Sequence, residues 1–180
     1  MTHLRMANNI MLREHNAMAV VAALLHMLPG LLHLEMLNSS SAAFLEQLKQ
    51  CPCVPRMQHL DVSCDFSKSQ HGLCFAEMHP KMNALTELIV EHWSSTENAR
   101  LDSVTHLAPV VQGCPRLRVL DLNNFGFDHA ASVLLARSLA GLERLQVLRL
   151  SNGRLEEAAL PEIFRLLNTC VVEVSLSLLS

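Results

Sequence analysis

The sequence predicts an α/β fold: a curved solenoid of strand–helix units, with a parallel β-sheet on the concave face and helices on the convex face. Three observations predict it. An apolar-x-x-apolar-x-apolar phrase recurs, with starts near residues 1, 31, 57, 85, 117, 145 and 171. After each phrase the apolar period changes from two to that of a helix. Half of the 180 residues are apolar and 17% are charged, which excludes a disordered chain and leaves enough apolar surface for a continuous core. Self-similarity at a period near 28 residues marks units that cannot bury an apolar side alone and must stack on their neighbours. Residues 1–180 therefore read as one repeat domain of about six units.

The units follow in order. The first phrase is Met1, Leu4 and Met6, with a helix over 14–28 ended by Pro29-Gly30. The second is Leu31, Leu34 and Met36. Its helix over 41–50 has Ser39, Ser40 and Ser41 as hydroxyl caps and Phe44, Leu45 and Leu48 as its stripe. The third is Met57, Leu60 and Val62, with a short helix near 73–78 stopped before Pro80. The fourth is Leu85, Leu88 and Val90, followed by a helix over 101–112 with Val104, Leu107, Ala108 and Val111 inward. The fifth is Leu117, Leu120 and Leu122, with a helix over 130–139 ended near Gly141. The sixth is Leu145, Leu148 and Leu150; its helix over 156–167 starts on Glu156-Glu157 and turns Pro161, Ile163, Phe164, Leu166 and Leu167 inward. Val171, Val174 and Leu176 form a weaker seventh phrase. Parallel strands sit about 4.8 Å apart and helices about 10 Å, so such a stack bends with its sheet on the inside.

The stretches Leu117-Arg-Val-Leu-Asp-Leu-Asn-Asn124 and Leu145-Gln-Val-Leu-Arg-Leu-Ser-Asn152, each followed by a helix, resemble leucine-rich repeats of the long, ribonuclease-inhibitor-like class. The resemblance extends over nearly the whole chain and is strongest in those two units. It implies a protein-binding scaffold without catalysis. The family's Asn or Cys, three residues after the last strand leucine, is replaced here: the column reads Asn9, Ser39, Asp65, Trp93, Phe125 and Gly153. Those turns must pair their backbone groups in other ways. The phrase Gly113-Cys114-Pro115-Arg116-Leu117 also resembles the repeats of F-box substrate receptors of ubiquitin ligases; no F-box helices accompany it. Small-GTPase activators use long repeats of this kind too, so an enzyme regulator is the alternative to a passive interaction module. No polar capping unit is visible at either end, which implies a stretch of a longer array, or ends covered by self-association.

Residues between the buried ones line the open sheet face. One column reads His3, His33, His59, Glu87, Val119, Val147 and Glu173, and the next Arg5, Glu35, Asp61, Ile89, Asp121, Arg149 and Ser175. Neighbours in a column lie about 5 Å apart. Histidines with a carboxylate suit a divalent metal, but a flat row is poor tetrahedral geometry, and the row reads as a polar face for a protein partner. Three imidazoles charging together repel one another, so binding over them should change between about pH 5.5 and 7.5. Arg5 beside Glu35 and Asp121 beside Arg149 are expected cross-strand pairs that help choose the partner. Trp93, in the polar stretch 92–98, is a candidate rim anchor or a cover for the core. The expected partner-binding set is therefore His3, Arg5, His33, Glu35, His59, Asp61, Glu87, Trp93, Asp121 and Arg149.

The remaining signals exclude more than they assign. A net charge of −3 and the absence of tyrosine argue against nucleic acid. Six scattered cysteines, Cys51, Cys53, Cys64, Cys74, Cys114 and Cys170, read as reduced thiols of a cytoplasmic or nuclear protein. The Cys51-Pro-Cys53, Cys64, His71 and Cys74 spacing lacks the paired Cys-x2-Cys of zinc sites. The apolar run 17–34 is broken by Pro29-Gly30 and is not expected to enter a membrane. No phosphate loop, nucleophile elbow or His-Glu-x-x-His motif is present. No cofactor, metal or catalytic residue is expected.

Overall fold

Each triplet alternates in and out, so each forms a strand with one buried side, and the amphipathic run after it must return across the sheet to start the next strand. The computed structural model describes residues 1–7, 15–37, 42–64, 69–92, 100–151, 161, 164 and 173–176. Their elements are β1 (His3–Ala7), α1 (His15–His26), β2 (His33–Leu37), α2 (Ala42–Gln50), β3 (His59–Cys64), α3 (Ser69–Met78), β4 (Glu87–His92), α4 (Arg100–Gln112), β5 (Val119–Asn123), α5 (His129–Leu139), β6 (Val147–Ser151) and β7 (Glu173–Leu176). The strands form one seven-stranded sheet in sequential order, every neighbouring pair parallel. Parallel neighbours need a crossover, and between β1 and β6 a helix supplies each one.

The register stacks Leu4, Leu34, Leu60, Leu88, Leu120, Leu148 and Val174 in one row. From Leu34 to Leu148 every leucine of that row is fully buried, while Leu4 at the sheet edge is only partly so. A second row runs Met6, Met36, Val62, Val90, Leu122, Leu150 and Leu176. Against these rows the helices place Phe44, Leu45, Leu48, Phe75, Val104, Leu107, Val111 and Leu135 in the same core. Consecutive helices pack on one another from α1 to α5, forming a layer against the sheet.

The turns repeat as well. The carbonyls of Thr2, Leu32, Gln58, Thr86 and Arg118 each accept two successive N–H groups that open the next strand, at 2.8–3.1 Å. At the other end of the strands, Phe125 occupies the missing asparagine position by burial and stacks with buried Phe127. Its neighbour Asn124 adopts φ 63°, a left-handed conformation that asparagine tolerates, and its N–H donates 2.9 Å to the Ser151 carbonyl. The other members of that column lie outside the described residues.

Three expectations change. α3 starts at Ser69, four residues before the expected helix. Its first turns bury His71 and Gly72, which carry no aliphatic signal, and it continues into a 3-10 turn at His79–Lys81 opened by Pro80. α1 ends at His26 rather than residue 28, because a residue before proline avoids helical geometry and Met27 and Leu28 close 3-10-type bonds. In the last helical stretch Pro161 and Phe164 are exposed rather than inward. Ile163, Leu166 and Leu167 lie outside the described residues. α5 gains a cap that the sequence reading missed: the Asp128 side chain accepts 2.7 Å from the Ala131 N–H. Cys51, Cys53, Cys74 and Cys114 are free and buried, as expected of small core residues. Among the described residues no helix is long and apolar enough to cross a membrane.

At Gly72 α3 lies close against α4. A Cβ there would stand 2.3–2.8 Å from the His106 ring and Cβ. Gly72→Ala should therefore lower stability by about 1–3 kcal/mol, although alanine is the better helix former by about 1 kcal/mol. The urea midpoint checks this; a rise in midpoint would show that the two helices separate at no cost.

Candidate functional site

The outward side of the sheet collects what the strands do not bury. Burial alternates along β5 and β6, leaving Val119, Asp121, Asn123, Val147, Arg149 and Ser151 partly exposed. The same alternation brings nine of the ten expected site residues onto this face in two columns. His3, His33, His59 and Glu87 are mutual register partners along one column. Arg5, Glu35 and Asp61 follow one another in the next, and Asp121 and Arg149 continue it beyond Ile89. Trp93 lies outside the described residues.

The histidines form a stack rather than a chelate. The His3 and His33 rings lie 4.0 Å apart at 16°, and those of His33 and His59 5.7 Å apart at 24°. Among the described residues no three His, Cys, Asp or Glu side chains converge to hold a metal ion. Burial lowers the His33 pKa, and the neighbouring His3 and His59 lower it further against the opposing pull of Glu87 and Glu35. His59 Nδ1–H donates 2.8 Å to the Glu87 carboxylate. Its Nε2 is buried with no partner among the described residues.

At the two flanks the charges neutralise each other. Arg5 Nε lies 2.9 Å from Glu35, as expected. Arg149 does not pair with Asp121: it reaches diagonally to Glu173, at 3.2 Å from Nη2 and 3.3 Å from Nε. The long guanidinium finds the exposed Glu173 carboxylate, whereas Asp121 is short and sits deeper. Both are exposed pairs, each worth under about 1 kcal/mol.

The centre of the face is acidic. Burial pushes the Asp61 carboxyl up to about 6; His59 opposes this, and Glu35, Glu91 and Asp121 add to it. Asp121 is raised for the same reason, with Arg149 opposing and Glu87 adding. Asp121 Oδ1 is buried and has no partner among the described residues. Glu91 joins this group, accepting 2.8 Å from the Ser63 hydroxyl and 3.3 Å from Asn124 Nδ2. The sequence reading stopped at two outward columns and missed Glu91. Ser63 and Glu91, the fifth residues of β3 and β4, form a third row on this side with Asn123 and Ser151. Continuing the period-two count past Val90 would have found it.

No protein-family model matches the sequence, and no curated protein is significantly similar to it.

Proposed function

We propose that the chain is a leucine-rich-repeat interaction module, curved with its sheet on the concave side, which binds a protein partner through the polar sheet face and catalyses no reaction itself. One observation carries this reading: an all-parallel sheet whose outward face, among the described residues, is lined by charged and imidazole side chains instead of a second helix layer. Parallel sheets are ordinarily covered on both sides, so an open one is a surface for another molecule. The in-register aliphatic rows and the recurring two-N–H turn support the repeat assignment. A rigid array lowers the ordering cost of binding while its breadth supplies many small contacts. Four buried free thiols support a reducing compartment, the cytosol or nucleus.

A photo-crosslinking residue tests it. Placed at Arg5 or Ser175 on the sheet face, it should trap a partner in native extract. Placed at Gln47 or Gln112 on the helix layer, it should trap none. Trapping from the helix layer alone would overturn the proposal.

A further inference from the structure

We infer that the middle of the sheet face receives a lysine or arginine side chain of the partner, laid over Ile89 between Asp61 and Asp121; the inference rests on reading this face as the binding surface. Ile89 is the half-buried apolar centre of β4. Asp61 stands opposite it on β3 and Asp121 on β5. Glu87 and Glu91 stand two residues away on β4 itself. Strand geometry puts the first pair about 4.8 Å from Ile89 and the second about 6.6 Å. A small apolar platform ringed by four carboxylates matches a long aliphatic stem that ends in a cation.

Among the described residues the face has no cation of its own to fill this place. Arg5 is held by Glu35 and Arg149 by Glu173, both at the flanks. The net charge of the whole chain is only −3, so four carboxylates on three adjacent strands are a local excess. A second observation points the same way. Asp121 Oδ1, an acceptor on the strand beside Ile89, is buried and has no partner among the described residues. It calls for a donor, and lysine and arginine carry three and five. An acidic partner would place like charge on all four carboxylates.

Burial has already removed water from Asp61 and Asp121, so a cation arriving there meets part of the desolvation cost in advance. The pH dependence follows from the groups around them. Asp61 faces His59, Glu35, Glu91 and Asp121; Asp121 faces Arg149 and Glu87. Between pH 7.5 and 5.5 Asp61 takes up a proton. The loss of its charge weakens attraction for a cation, so affinity falls on acidification. An anionic ligand on the same face would show the reverse.

The test titrates the isotope-labelled full chain with tetralysine and with tetraglutamate, followed by amide NMR. Tetralysine should shift Asp61, Ile89 and Asp121. It should bind several-fold more weakly at pH 5.5 than at 7.5, and roughly tenfold more weakly to the Asp61→Asn/Asp121→Asn double variant. Glu143→Gln, an exposed acid off this face, should leave binding unchanged. Tetralysine shifts elsewhere, an unaffected double variant, or tetraglutamate on the same residues would overturn the inference. So would a crosslinked partner segment held on the sheet face without a lysine or arginine, and that result would leave the interaction module standing. Trapping from the helix layer alone would remove the module itself.

Discussion

Asp61→Asn should stabilise the free protein at pH 7.5 by about 1–2 kcal/mol, and the gain should vanish near pH 4. The Asp61 carboxyl titrates near 6 in the folded chain and at 3.8 when unfolded. A carboxyl whose folded value is raised binds its proton more tightly in the native state. Stability therefore falls as pH rises from about 4 to 6 and stays lower above that window. The whole shift corresponds to about 3 kcal/mol; partial exposure to solvent brings the expected effect down to roughly half of that. Asparagine keeps the shape and never ionises, so it removes the cost where the acid is charged and changes little where the acid is protonated. Urea unfolding at pH 7.5 and 4.5 decides it, and a destabilised variant at pH 7.5 would show that Asp61 is well solvated. The same substitution is expected to weaken tetralysine binding. Opposite signs for stability and binding are the mark of a residue kept for function at a cost to the fold.

Leu88→Ala should cost about 3–4 kcal/mol, and Leu4→Ala about 1 kcal/mol or less. Both are leucines of the same inward row. Leu88 is fully buried on the central strand, with Leu60 and Leu120 as register partners on either side. Truncating it removes about three methylene-equivalents and opens a cavity that rigid neighbours on both sides cannot close. Leu4 lies on the edge strand with Leu34 as its one row partner and is only partly buried. Its removal is relieved by solvent on the open side. Denaturant midpoints of the two variants measure the contrast. Equal losses would mean that the row is not packed as the register describes.

Much of this could be read before any coordinates. Each triplet has one apolar side, and consecutive parallel strands joined by a helix have few ways to bury it except against the previous triplet. That constraint sets the strand order and the register, and hence the columns holding His3, His33, His59 and Glu87 or Arg5, Glu35 and Asp61. It also sets which cysteines are buried, since Cys53 and Cys114 precede strands at core positions.

Other features had no local signal. The first turns of α3 bury a histidine and a glycine, which look polar or neutral in the sequence. Arg149 chooses Glu173 over Asp121 because side-chain reach and exposure, not register, select ion-pair partners. Glu91 enters the site because the alternation that places Glu87 and Ile89 on this face continues one step further along β4. The aliphatic rows and the order of charges along the face are legible in the residues alone, because both follow from period-two alternation under one repeated crossover. Which carboxylates lose water and which acceptors stay unpaired is visible only in the folded protein, because desolvation depends on what packs around a group and not on its place in the chain.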